Sequence, residues 1–231
     1  MGREEVMRCL EATRVVAIIR GVPAEACPRV AEACADGGIG LVEVAFDRSG
    51  DPRDVARAIS AIRCAIGKDM RVGAGTVLTE EQLRAAVDAG GEFMVTPSVN
   101  PRLIARASAA GLVTMPGAFT PSEIVSAREA GADVVKVFPV RSLGVQYVRD
   151  VLAPLGPVRL MAVGGVTPDN AADYLRAGCI GVGAGGSLVN PEWVRAGEFA
   201  RIAETARRLI DSACCFAAGP SEGGFKQVKV S

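Results

Sequence analysis

Eight short runs rich in Val, Ile and Leu alternate with longer amphipathic stretches, and an Ala-Gly pair repeatedly stands just before the next run. These three observations predict an α/β chain folded as a (β/α)8 TIM barrel with a short extra N-terminal helix. The runs show little polar alternation, as expected of strands covered on both faces in a parallel sheet. Strand and helix periods that alternate along the chain call for such a sheet, and the recurring stop marks a repeated strand-helix unit. A doubly wound open sheet shares the alternation and is the structural rival. Eight units in about 200 residues fit the compact barrel better.

In chain order, residues 3–13 form a short amphipathic segment placed to close the bottom of the barrel. The apolar runs follow at 15–21, 41–46, 71–77, 93–98, 112–117, 134–139, 159–165 and 180–188. Helix starts are written between them. Thr79-Glu80-Glu81, Thr120-Pro121-Ser122-Glu123 and Thr167-Pro168-Asp169-Asn170 each offer a Thr N-cap and an early acid, and the last two add a proline inside the first turn. Gly37-Gly38, Gly90-Gly91, Gly111, Gly131 and Gly178 stand where helices stop. Residues 1–215 read as one barrel domain. Residues 216–231, rich in Gly and polar side chains, read as a surface extension without catalytic meaning.

Composition narrows the function. The chain has 231 residues, 49% of them hydrophobic, and 26 Lys plus Arg balance 26 Asp plus Glu. A net charge of zero lacks the basic footprint of a nucleic-acid binder. No apolar stretch approaches the roughly 18 residues that span a bilayer, and MGREEVMRCLEATR has no long apolar core of a signal peptide. Histidine is absent, which removes Ser-His-Asp triads, Cys-His dyads and His-ligated zinc. Proton transfer then falls to a carboxylate, Lys, Tyr, Cys or water. The seven cysteines, at 9, 27, 34, 64, 179, 214 and 215, match no zinc spacing. They read as small buried hydrophobes in a reducing cytoplasm.

In a barrel of this kind chemistry gathers at the C-terminal strand ends. Those ends carry Arg20, Glu43, Thr76, Thr96 with Ser98, Lys136, Gly164-Gly165 and Gly186-Ser187. Lys136 shares its strand face with Val134 and Phe138, and Glu43 shares its face with Leu41 and Ala45. If both faces point inward, an amine and an acid approach one another from different strands. Desolvation lowers a lysine pKa from its ordinary value of about 10.4. An uncharged amine attacks carbonyl carbon to give a Schiff base. A purely structural Lys-Glu pair, or a lysine snorkelling out of the mouth, accounts for the same residues.

Two glycine-rich ends, VGGVTPDN and GAGGSLV, belong to the last two strands. Backbone N–H groups and a helix N-terminus there suit an anion, and barrels place phosphates at that position. Asp169 in the following turn would oppose one. In GAGTV (73–77) the small residues leave room at the mouth, or serve only the barrel's taper.

VEVAF, GAGTV, VTPSVNP, MPGAFTPSE, KVFP, AVGGVTPDN and GGSLV occur in one order across residues 15–213. Together they resemble the 2-keto-3-deoxy-6-phosphogluconate (KDPG) and 4-hydroxy-2-oxoglutarate aldolases, including the 2-keto-3-deoxy-6-phosphogalactonate branch. The resemblance implies a cytoplasmic class I lyase, usually a homotrimer, that needs no metal or other cofactor and acts on a small phosphorylated keto acid. It implies Lys136 as the Schiff-base lysine, Glu43 as general acid/base, and Thr76 near the pyruvate carboxylate. It implies that Phe138 and Pro139 shape the pocket beside the lysine and that Gly164, Gly165, Gly186 and Ser187 cradle the phosphate, with Pro97 and Pro116 as further substrate-binding candidates.

The chain departs from the pattern in two places. Asp47 stands where phosphogluconate enzymes carry a carboxylate-binding Arg, with Arg48 one place late; Arg20, fixed at a strand end, is the better substitute. Val163, before Gly164-Gly165, replaces a frequent Thr and resembles the phosphogalactonate branch. A phosphate-binding barrel isomerase or synthase, or a non-catalytic sugar-phosphate binder, are the alternatives.

Overall fold

The structure, a computed structural model, describes residues 2–47 and 51–214. Among them nine strand segments form one parallel sheet: β1 (Val15–Ile19), β2 (Leu41–Ala45), β3 (Arg71–Gly75), β4 (Phe93–Val95), β5 (Val113–Met115), β6 (Gly117–Ala118), β7 (Val135–Val137), β8 (Leu160–Val163) and β9 (Gly181–Ala184). The order is β5-β4-β3-β2-β1-β9-β8-β7-β6. Its two ends, β5 and β6, are halves of one strand parted at Pro116. β5 pairs with β4 and β6 pairs with β7, so eight staves make nearly a full turn. The open sheet is thereby set aside. Proline lacks the N–H that would continue the ladder, but its carbonyl still accepts the Lys136 amide at 2.8 Å. The expected extension at 216–231, together with Arg48 and Cys215, lies outside the described residues.

The strands are shorter than the apolar runs, because several runs continue into the loops that cross the barrel mouth. Their alternation sorts side chains into two cores. Val42, Val44, Val135 and Val137 face outward into the layer between barrel and helices. Val16, Ile18, Leu41, Phe93, Val95, Val113, Met115, Val134, Met161 and Val163 fill the interior. The bottom is closed by α1 (Gly2–Thr13), which inserts Val6 and Leu10 into that interior cluster. Arg3 fastens the helix by pairing with Asp133 at 2.6 Å, and Asp133 also accepts from the Thr114 backbone and hydroxyl. The interior is therefore a packed plug with its polar groups at the other end.

The outer helices are α2 (Cys27–Asp36), α3 (Pro52–Ile66), α4 (Glu80–Asp88), α5 (Pro101–Ala109), α6 (Pro121–Glu129), α7 (Gly144–Leu155), α8 (Ala171–Arg176), α9 (Pro191–Ala196) and α10 (Phe199–Cys214), with a 3-10 turn at Val140–Ser142. Thr79 and Thr120 cap α4 and α6 through reciprocal boxes with Gln82 and Glu123. The third expected cap differs. α8 starts only at Ala171: the Asn170 side chain takes the Thr167 N–H at 2.9 Å, but the Asn170 N–H goes to the Thr167 carbonyl and not to its hydroxyl, so the preceding residues form a turn. Gly90, Gly111, Gly131 and Gly178 adopt positive φ at the helix stops.

The cysteine reading holds for Cys27, Cys34 and Cys179, whose thiols burial pushes up to about 12. Cys64 and Cys214 are exposed instead.

Candidate active site

Glu43 and Lys136 lie at the centres of β2 and β7, two residues and one residue below the strand ends where the sequence suggested them. That depth explains why they are only 1% and 4% exposed. Both side chains enter the interior, since Leu41 and Val134 on the same faces belong to its core. Glu43 stands in register with Ile18 and Gly73, and Lys136 with Gly117 and Met161. The Lys136 Nζ sits 4.6 Å from the Phe138 ring centroid. Glu43 Oε1 is buried without a hydrogen-bond partner among the described residues. An unpartnered carboxyl oxygen costs stability in a folded core, so its retention points to use.

Burial pushes the Glu43 carboxyl above the ordinary carboxylate range, while the Lys136 and Arg20 charges pull it partly back. Burial pushes the Lys136 amine below the usual lysine range. Glu43 draws it upward and Arg20 presses it further down. The two groups sense each other's charge without meeting in a direct ion pair. The environment thus favours a neutral amine beside a proton-carrying acid, the combination that carbinolamine chemistry requires.

Arg20 and Thr76 meet at the rim. Arg20 Nη2 donates to Thr76 Oγ1 at 2.8 Å, from the residue after β1 to the residue after β3. Thr76 holds φ at 58°, a conformation costly for a β-branched side chain and found chiefly where a site imposes it. Asp47 is exposed and lines a cleft of about 290 Å³ between the ends of β1 and β2, residues 21–24 and α3, whose lining includes neither Glu43 nor Lys136. Phe138 is half-buried over the amine. Pro116 is buried, and Pro97 presents its backbone to Gly117, where an added Cβ would lie 2.5 Å from the Pro97 carbonyl carbon. Both prolines bear on the strand beside Lys136 through their backbones.

The glycine-rich ends lie on adjacent strands, β8 and β9. Gly164 and Gly165 hold φ at 97° and 89°, open to glycine alone. The Ser187 hydroxyl donates to the Val166 carbonyl at 2.6 Å and ties the two loops together. The backbone N–H groups of Gly165, Val166, Gly186 and Ser187 make no hydrogen bond among the described residues. Because α8 starts late and Asn170 occupies the Thr167 N–H, the helix end contributes less to this cradle than the sequence suggested. The Asp169 carboxylate pairs with Arg208 at 3.2 Å, which offsets its charge.

Sequence reasoning missed what the small residues of GAGTV do. They do not leave open room. A Cβ on Gly73 would lie 2.4 Å from the Phe93 ring, and one on Gly75 would lie 2.5 Å from Glu43 Oε1. Gly75 is the seat of the Glu43 carboxyl.

A parallel barrel that buries one amine and one acid under a cationic rim, with two glycine loops at its mouth, defines a class I, Schiff-base aldolase. The KDPG and KHG aldolase family model matches residues 6–205, and the chain belongs to that family. It is 39% identical to a 2-dehydro-3-deoxy-6-phosphogalactonate aldolase of Escherichia coli (strain K12), over 75% of this chain and 83% of the relative. It is 34% identical to a 2-dehydro-3-deoxy-phosphogluconate aldolase of Treponema pallidum (strain Nichols), over 89% of this chain and 96% of the relative. A solved structure of native KDPGal superposes with a TM-score of 0.80 at 34% identity, covering 88% of this chain and 96% of that one.

Proposed function

We propose that the chain cleaves a 2-keto-3-deoxy-6-phospho sugar acid to pyruvate and glyceraldehyde 3-phosphate, with Lys136 as the Schiff-base nucleophile and Glu43 as the proton carrier. Lys136 Nζ attacks the C2 ketone, and Glu43 supplies the proton with which the carbinolamine hydroxyl leaves as water. The resulting iminium draws electrons from the C3–C4 bond once the C4 hydroxyl gives up its proton to Glu43. That bond breaks, and glyceraldehyde 3-phosphate departs. The enamine left on Lys136 takes a proton at C3, and water hydrolyses the imine to release pyruvate. The iminium is the electron sink, so the sequence of steps calls for no metal. The supporting observation is the buried amine, held below its usual pKa, in the same interior as an unpartnered carboxyl oxygen.

Arg20 and Thr76 are assigned to the substrate carboxylate, Phe138, Pro97 and Pro116 to the pocket walls, and Gly164, Gly165, Gly186 and Ser187 to the phosphate. Val163, which faces the interior, and the 39% identity to a phosphogalactonate enzyme favour the galactonate series. The shorter 4-hydroxy-2-oxoglutarate, giving pyruvate and glyoxylate, is a further substrate to compare. The active form is assigned as a cytoplasmic homotrimer. Leu78 and Phe119, 48% and 41% exposed, offer apolar surface for such contacts, and no helix among the described residues is long and apolar enough to cross a membrane.

Borohydride reduction in the presence of pyruvate should add covalent mass at Lys136 in the full chain. Lys136→Met should give no adduct and lower turnover by about 10³-fold or more, as expected when a covalent nucleophile is lost. Substantial cleavage by that variant would favour an isomerase or synthase chemistry that does not use the amine.

A further inference from the structure

Arg141 follows β7 and the Phe138-Pro139 pair and lies in the 3-10 turn Val140–Ser142. Its amide N–H donates to the Gly164 carbonyl at 3.0 Å, which fixes its backbone against the first glycine loop. Its side-chain stem lies along the face of Gly165: a Cβ on that glycine would stand 2.7 Å from Arg141 Cβ and 2.9 Å from its Cδ. Gly165 is thus glycine for two reasons, its φ of 89° and the arginine laid across it. The guanidinium makes no hydrogen bond or ion pair among the described residues. Elsewhere on this surface such commitments are frequent, as in Arg208 with Asp169 and Arg176 with Asp173.

We propose that Arg141 is a specificity-determining residue that closes the glycine cradle with a charge and selects substrates ending in a dianionic phosphate. This rests on the aldolase reading above. The cradle itself offers backbone N–H groups from Gly165, Val166, Gly186 and Ser187, which are neutral donors; its tie is the Ser187 hydroxyl spent on Val166. A guanidinium anchored through its own backbone to the Gly164 carbonyl adds a planar, permanently charged fork of the kind that matches phosphate oxygens. The amine and acid that break carbon–carbon bonds lie deeper, on β2 and β7, so the proposed effect is on binding of the far end of the substrate and not on the bond-breaking step. Arg141 is a positioning residue for the phosphate end.

The experiment compares wild type with Arg141→Met, which keeps the stem across Gly165 and removes the charge, and with Arg141→Lys, which restores a charge. KM for the phosphorylated sugar acid should rise about tenfold to a hundredfold in Arg141→Met, the loss of one charge-assisted hydrogen bond, with kcat changed less than about threefold. Arg141→Lys should recover part of that loss. kcat/KM for 4-hydroxy-2-oxoglutarate, which has no phosphate, should change less than about twofold. Inorganic phosphate should raise the melting temperature of wild type and do so less in Arg141→Met. An unchanged KM and an undiminished phosphate-induced shift in Arg141→Met overturn the proposal, as does an equal loss with both substrates. If wild type traps no pyruvate and cleaves nothing, the aldolase reading fails instead, and the phosphate-induced shift alone decides the role of Arg141.

Discussion

At Lys136 and Glu43 the same feature, removal from water, pushes two pKa values toward each other from opposite ends. Arg20 modifies both in one direction. Its positive charge disfavours a second cation on Lys136 and favours the anion on Glu43, so it lowers each. In Arg20→Gln both pKa values should rise. At a given pH less of the amine is then neutral, and the acid limb of pyruvate trapping at saturating pyruvate should move to higher pH. KM for the keto acid should rise about tenfold from loss of one charged hydrogen bond. Because Arg20 is exposed, added salt should narrow the difference between the pH profiles. A limb that stays put or moves to lower pH would contradict this account. The anomaly of a lysine inside an apolar strand was readable from residue types alone. The seat at Gly75 was not, since a glycine in a strand looks the same whether it leaves room or is filled by a neighbour.

Elements were legible wherever their ends carry their own chemistry. Thr79 with Gln82 and Thr120 with Glu123 start helices by satisfying orphan N–H groups, and glycines stop them by adopting positive φ. Thr167 misled because the Asn170 N–H goes to its carbonyl and not to its hydroxyl, so only the returning half of the box forms. Helix α1 reads as amphipathic, but what its apolar face covers depends on the far-apart strands it plugs. Leu10 is fully buried there, and a Cβ on Gly181 would stand 3.0 Å from its Cδ1. Leu10→Ala should destabilise the fold by about 2–5 kcal/mol, as for other buried leucines. Urea unfolding measures the loss, while KM should stay within about twofold because the site lies at the opposite end. A loss below about 1 kcal/mol would show that α1 is not part of the core.

For the molecule as a whole, eight apolar runs pointed to a barrel, but how it shuts was hidden. Pro116 divides one stave so that its halves serve different neighbours, and no hydrophobic period marks such a division. Assembly is equally invisible in a single chain. Sedimentation velocity should show a species of about three times 23.8 kDa, shifting toward monomer in Leu78→Asp/Phe119→Asp. A monomer at micromolar concentration would overturn the trimer.

The two chemical groups hang on staves from opposite halves of the polypeptide, and the stave beside the lysine is the one that completes the ring. In an unfinished ring Lys136 is an ordinary wet ammonium group. If Lys136 is the proposed nucleophile, reactivity toward pyruvate is a clock for ring completion: during refolding, covalent capture by borohydride should lag helix formation and coincide with the last strand falling into place.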